Sequence, residues 1–178
     1  TNSVLRTLSD IIMCSSLKII LALNLYLVNL DSAASASIAF LVFSFIFFNG
    51  AEDALVRPQL MSGTHALAVT LGGLLKHGET LLYISGEPYD TLKSVIGTIG
   101  DSRNSLIANG IKYEEIDLIG DDFDLEAIRE RLSRGDVRVA AIQRSRGYSQ
   151  RKSLTIDRLE EAIRVCKEAS PDTIIMVD

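Results

Sequence analysis

The sequence predicts an α/β protein built on a mostly parallel sheet with flanking helices. Three observations carry that expectation. Between Ala51 and Asp178, four short apolar runs alternate with stretches whose apolar residues recur at helical spacing. Strands separated by helices return in the same direction, because the helix carries the chain back across the sheet. The chain has 178 residues, 47% of them hydrophobic and 23% charged, enough to bury one ordinary core.

The elements follow in order. Thr64–Lys76 is apolar at helical spacing, and the run Thr80–Ile84 reads as a strand. Tyr89–Ile99 places Leu92, Val95, Ile96 and Ile99 on one helical face. Lys112–Ile119 is the second strand. Leu125–Leu132 is a helix opening after Asp124, a residue suited to an N-cap. Val137–Ile142 is the third strand. Thr155–Ala169 sets Ile156, Leu159, Ile163 and Cys166 at helical spacing and stops before Pro171, and Thr173–Val177 is the fourth strand.

Residues 1–49 are different in kind. Residues 1–50 hold four charged residues, Arg6, Asp10, Lys18 and Asp31, and five of the six phenylalanines. Ser32 to Ala51 carries no charge, and a bilayer needs roughly 20 apolar residues in a helix. Lys18 followed by IILALNLYLV and AASAS also imitates a secretory signal. This apolar segment is expected to be helical. It reads as a membrane anchor, a targeting helix, a buried hairpin or a stretch foreign to the domain. The expected division is residues 1–49 and residues 50–178. The first residue is not Met and the chain ends directly after an apolar run, so a fragment is expected.

Charge and cysteines exclude several classes. With 18 basic and 23 acidic side chains the net charge is −5, which gives no basic face for nucleic acid. Cys14 and Cys166 lie far apart and form no CxxC pair, and His65 and His77 are not spaced as metal ligands.

Four motifs at element boundaries carry chemistry. Ser62-Gly63-Thr64 precedes a helix; it suits either a phosphate at the helix start or simple capping. Gly86–Thr91 follows a strand, at the edge where open α/β sheets bind ligands, and Tyr89 is placed either to stack on a flat ring or to pack on the core. Gln143–Lys152 brings Arg144, Arg146, Tyr148, Arg151 and Lys152 to the same edge, as anion contacts or as a solvated basic loop. Asp178 ends an apolar strand, where its carboxylate needs a partner such as a protonated ring nitrogen, or caps a following helix. Together they point to a phosphorylated, planar cofactor.

The stretches GAEDALVRPQLMSGTHAL, LLYISGEPYDTLKSVIG, AAIQRSRGYSQRKSL and DTIIMVD carry a resemblance. From Gly50 to Asp178 the chain resembles the large domain of the methionine gamma-lyase-like proteins described as cystathionine beta-lyase relatives involved in aluminium resistance. The resemblance implies the large domain of a fold-type-I enzyme dependent on pyridoxal 5'-phosphate (PLP), cleaving C–S bonds of sulfur amino acids. It implies that Ser62, Gly63 and Thr64 hold the PLP phosphate, that Tyr89 stacks on the ring and that Asp178 pairs with the pyridinium nitrogen. It places Arg57, Gln59, Arg144, Arg146, Tyr148 and Arg151 among the substrate or anion contacts. It further implies a homo-oligomer, dimer or tetramer, when complete.

Two departures qualify it. The cofactor-holding lysine of the family lies beyond the last strand here, and none of Lys18, Lys76, Lys93, Lys112, Lys152 or Lys167 sits in a matching motif. Residues 1–49 do not resemble the family's N-terminal region. The chain alone is therefore expected to be inactive, in a cytoplasmic or organellar setting rather than a membrane. The rival expectation is a non-catalytic α/β domain tethered to a membrane through Ser32–Ala51.

Overall fold

The computed structural model describes residues 59–147 and 150–178. The chain divides into two compact units, residues 1–67 and 68–178. The apolar segment 1–49, Arg57 and Tyr148 lie outside the described residues.

Helix α1, Gly63–Leu74, begins in the first unit and continues into the second. Ser62 starts it as a cap. Its Oγ accepts from the His65 N–H at 3.1 Å and its carbonyl accepts from the Ala66 N–H at 3.0 Å. His65 Nδ1 reaches back to accept from the Met61 N–H at 3.3 Å. The helix has no acidic residue in its first turn, so the positive end of its dipole is not neutralised within the turn.

The second unit holds the sheet. Strand β1 is Thr80–Tyr83, β2 is Lys112–Glu115, β3 is Val137–Ile142 and β4 is Ile174–Val177. They pair in parallel in the order β2-β1-β3-β4. The central strands are the apolar ones: all of β1 is buried, and in β3 Arg138 alone is exposed. A parallel strand shielded on both faces reads as a continuous apolar run, which is how TLLY and VRVAAI read. The edge strand β2, KYEE, has no fully buried residue and carries three charges. Charged edges discourage pairing with further strands.

Helix α2 is Asp90–Ile96, α3 is Leu125–Leu132 and α4 is Ile156–Ala169. The expected cap of α3 is present: Asp124 Oδ1 accepts from the Ala127 N–H at 3.0 Å. Leu159, Ala162, Ile163, Val165 and Cys166 form the buried face of α4. Burial pushes the Cys166 thiol up to about 12, so it stays a protonated, inert thiol. Helices α3 and α4 pack together, tied at the surface by Arg129 and Glu168 at 3.0 Å.

Several boundaries shift by one or two residues, and two differ by more. The second strand stops at Glu115 instead of Ile119: its register partner Tyr83 ends β1, and after Gly86, which still donates to the Ile116 carbonyl, the chain leads into α2 instead of running on beside β2. Ile119 instead pairs with Asp122 in a tight turn and is 67% exposed. Helix α2 stops at Ile96 instead of Ile99. Gly97 adopts a φ of 98° there, and its N–H closes on the Lys93 carbonyl at 2.7 Å.

Candidate functional site

In a parallel sheet all carboxyl ends share one edge, and the loops leaving β1 and β3 emerge there side by side. The β1 loop is Ser85–Tyr89, leading into α2. Its Gly86 has a φ of 75° and donates its N–H to the Ile116 carbonyl at 3.0 Å, which holds the loop beside the exit of β2. The β3 loop begins at Gln143. Between these loops lies a cleft of about 540 Å³. It is lined by Ser85 to Asp90, Lys93, Asp117, Leu118, Gly120, Gln143, Arg146 and Arg151.

Of the predicted site residues, the structure brings Tyr89, Arg146 and Arg151 to this cleft. Tyr89 is the residue before α2, in an extended conformation with φ −68° and ψ 158°. Arg151 is half-buried, and its guanidinium does two jobs. Its Nη2 donates to the Gln143 carbonyl at 2.9 Å and the Ser145 carbonyl at 2.7 Å, while Nη1 donates to the Lys152 carbonyl at 3.0 Å. It therefore staples its own loop while facing the cleft. Arg144 is exposed and does not line the cleft; its backbone N–H donates to the Asp178 carbonyl at 2.8 Å. Gln59 lies in an exposed turn of the first unit.

Asp178 continues the β3–β4 ladder one step past Val177, donating its N–H to the Ile142 carbonyl at 2.9 Å. Asp178 is exposed overall and does not line the cleft, and partial burial of its carboxyl raises its pKa from the ordinary value. A carboxyl so placed gains from a cationic partner. Nearby, the fully buried Tyr83 keeps a hydroxyl with no hydrogen-bond partner among the described residues. Burial first, then the charges of Asp178 and Tyr89, push this phenol far above its ordinary range, so it is a neutral donor. A buried hydroxyl left unpaired is costly, and a polar group brought to this edge would relieve it.

Lys93 also faces the cleft, but as a paired ammonium. Its Nζ meets Glu87 Oε1 at 2.7 Å and Asp90 Oδ1 at 3.2 Å. The hydrogen bond to Glu87 holds its pKa up, so it is a cation and not a free amine. Ser62, Gly63 and Thr64 open α1 in the first unit, where a Cβ on Gly63 would meet no atom of the described residues within 4 Å.

Ser85, Asp117, Lys93 and Tyr83 were not singled out from the sequence. Ser85 stands just past a parallel strand and Tyr83 ends one, and that placement at the carboxyl edge is the signal that would have found both. Lys93 and Asp117 carried no such signal, because their approach to the cleft depends on how α2 and the β2 exit fold back. Among the described residues no cluster of His, Cys, Asp and Glu suits a metal, and no helix is long and apolar enough to cross a membrane.

Residues 40–178 match the methionine gamma-lyase family. The protein YnbB of Bacillus subtilis is 42% identical over 131 residues, which is 72% of this chain and 31% of that protein. A solved carbon-sulfur lyase involved in aluminum resistance from Clostridium novyi NT superposes with a TM-score of 0.72 at 38% identity, over 78% of this chain and 33% of that one. A Clostridium acetobutylicum structure, named as a cystathionine beta-lyase involved in aluminum resistance, gives 0.76 at 31% identity over 99% of this chain and 41% of that one. The chain thus spans between 31% and 41% of the length of these relatives. With a match across most of its length, and the same α/β sheet in the solved relatives, the chain belongs to the methionine gamma-lyase family.

Proposed function

We propose that this chain is the cofactor-binding portion of a PLP-dependent carbon–sulfur lyase acting on sulfur amino acids, homo-oligomeric when complete. The observation that carries the reading is the cleft at the carboxyl edge of the sheet, where an aromatic ring and two arginines converge. The residues fit the cofactor. Tyr89 offers a flat face for a pyridine ring. The raised Asp178 carboxyl suits pairing with a ring N–H, and the carboxylate would keep that nitrogen protonated. Ser62, Gly63 and Thr64 stand at the start of α1, where the positive end of the helix dipole suits a phosphate. When bound, PLP supplies an electron sink for the carbanion that precedes loss of the thiol.

The chain's own residues bind and orient. Arg146, with Arg151, presents guanidinium donors suited to a substrate carboxylate. Lys93, locked to Glu87 and Asp90, serves electrostatics rather than nucleophilic attack. A lysine that exchanges with the substrate amine is assigned to a part of the enzyme outside this sequence.

The test is titration of the chain with PLP, followed by visible absorbance and by quenching of tyrosine fluorescence. Saturable binding that weakens on Asp178→Asn supports the reading. Absence of binding at millimolar PLP, or equal binding by the Asp178→Asn and Tyr89→Ala variants, sinks it.

A further inference from the structure

Gln143 is the first residue past β3 and is 4% exposed. Each of its four polar groups is engaged with a residue at the cleft or its loops. Its N–H donates to Ser85 Oγ at 2.8 Å, and its carbonyl accepts from Arg151 Nη2 at 2.9 Å. Its side-chain Oε1 accepts from the Tyr89 N–H at 2.9 Å, while Nε2 donates to the Ser145 carbonyl at 3.1 Å. That carbonyl is shared with Arg151 Nη2 at 2.7 Å. The β3 loop then passes close over the amide: a Cβ on Gly147, which has a φ of 56°, would sit 3.1 Å from Nε2 and 3.7 Å from Tyr89 Cβ.

We infer that Gln143 is a positioning residue that couples Tyr89 to the arginine loop, so that the ring and the guanidinium groups reach the cleft in one fixed arrangement. A carboxamide is suited to this because it accepts on one arm and donates on the other. A carboxylate keeps the acceptor but turns an oxygen toward the Ser145 carbonyl. A leucine makes neither bond. The consequence for ring stacking rests on the cofactor reading above; the coupling of the two loops does not.

The experiment therefore has two readouts on the full chain. One is amide hydrogen exchange at Tyr89 and at residues 145–147. The other is binding of 4'-deoxypyridoxine 5'-phosphate, which has the ring and phosphate but no aldehyde, so no lysine is needed. In Gln143→Leu the Tyr89 amide should exchange about tenfold faster with the β1 and β3 amides unchanged, and the probe should bind about tenfold more weakly, the scale of one buried hydrogen bond. Its induced circular dichroism should fall as in Tyr89→Ala, and adding Gln143→Leu to Tyr89→Ala should weaken binding no further. Gln143→Glu should leave the Tyr89 amide protected while residues 145–147 loosen. Wild-type exchange at Tyr89 in Gln143→Leu overturns the inference, even if the probe binds. If exchange responds as stated but the wild-type chain does not bind the probe, the coupling stands and the cofactor reading falls.

Discussion

Arg131 on α3 grips Glu114 on the edge strand β2 with two nitrogens, Nε to Oε2 at 2.5 Å and Nη2 to Oε1 at 2.8 Å. Asp136, just ahead of β3, meets Nη1 of the same guanidinium at 2.6 Å. One nearly buried arginine thus ties an exposed strand to a helix and to the entry of a central strand. Arg131→Met should lower unfolding stability by about 1–2 kcal/mol; the figure is modest because both carboxylates are partly solvated. The pH dependence has a definite sign. The hydrogen bonds from Arg131 hold Glu114 and Asp136 below the ordinary carboxylate range in the fold. Their contribution is present above the unfolded pKa values and is lost as pH falls through that range to the folded values. Urea midpoints at a series of pH values should therefore show a wild-type advantage over Arg131→Met that shrinks toward acid; a constant difference would contradict it.

Gly97 and Gly100 separate two costs of adding a methyl group. Both have positive φ, 98° and 76°. A Cβ on Gly97 would lie 2.4 Å from Oγ of the buried Ser105, whereas one on Gly100 meets nothing within 4 Å. Gly100→Ala should cost about 1 kcal/mol, the left-handed backbone penalty alone. Gly97→Ala should cost about 2–3 kcal/mol, because the hydroxyl that accepts from the Ala108 N–H must also move. Chemical denaturation of both variants checks the order, and equal losses would show that the α2 terminus relaxes freely.

At Gly63 stability and binding should part company. Among the described residues no atom stands where its Cβ would go, so Gly63→Val should change unfolding stability by less than about 0.5 kcal/mol. A branched side chain at the helix start would nonetheless hold a phosphate away from the N–H groups. PLP affinity of the Val variant should fall at least tenfold at unchanged melting temperature. Unchanged affinity would reduce Ser62–Thr64 to a helix cap.

Asp178 should behave opposite to Glu114. Partial burial raises the carboxyl pKa of this otherwise exposed residue, so the ionised group opposes folding slightly at neutral pH. That penalty fades as pH falls through the folded value toward the ordinary one. The difference in stability between Asp178→Asn and wild type should favour Asn at neutral pH and close toward acid. Paired denaturation curves across pH measure it, and an advantage for wild type at neutral pH would mean the carboxylate already has a partner within the chain.

The sheet was legible because its strands are short apolar runs with helical stretches between them, a pattern set by burial on both faces. Strand ends were less so. Nothing in KYEEIDLI shows that the ladder stops at Glu115, since that depends on where β1 turns away. The site was legible where a residue type advertises itself, as Tyr89 and Arg151 do. Gln143 stood in the sequence as one polar residue of a basic loop. Its role arises from a bond to Tyr89 across 54 positions of chain, which no local pattern encodes.

Among the described residues, the two flanks of the sheet differ as templates. On one side lies β2 with Lys112, Glu114 and Glu115; on the other lies β4, whose residues are Ile174, Ile175, Met176 and Val177. A strand recruited in trans would have to bring its own neutralising charges to dock on the first, but would need little more than apolar side chains to extend the second. A split-protein complementation built on this domain should therefore succeed when the missing piece is supplied at the Ile174–Val177 flank, and fail when it is supplied at the Lys112–Glu115 flank.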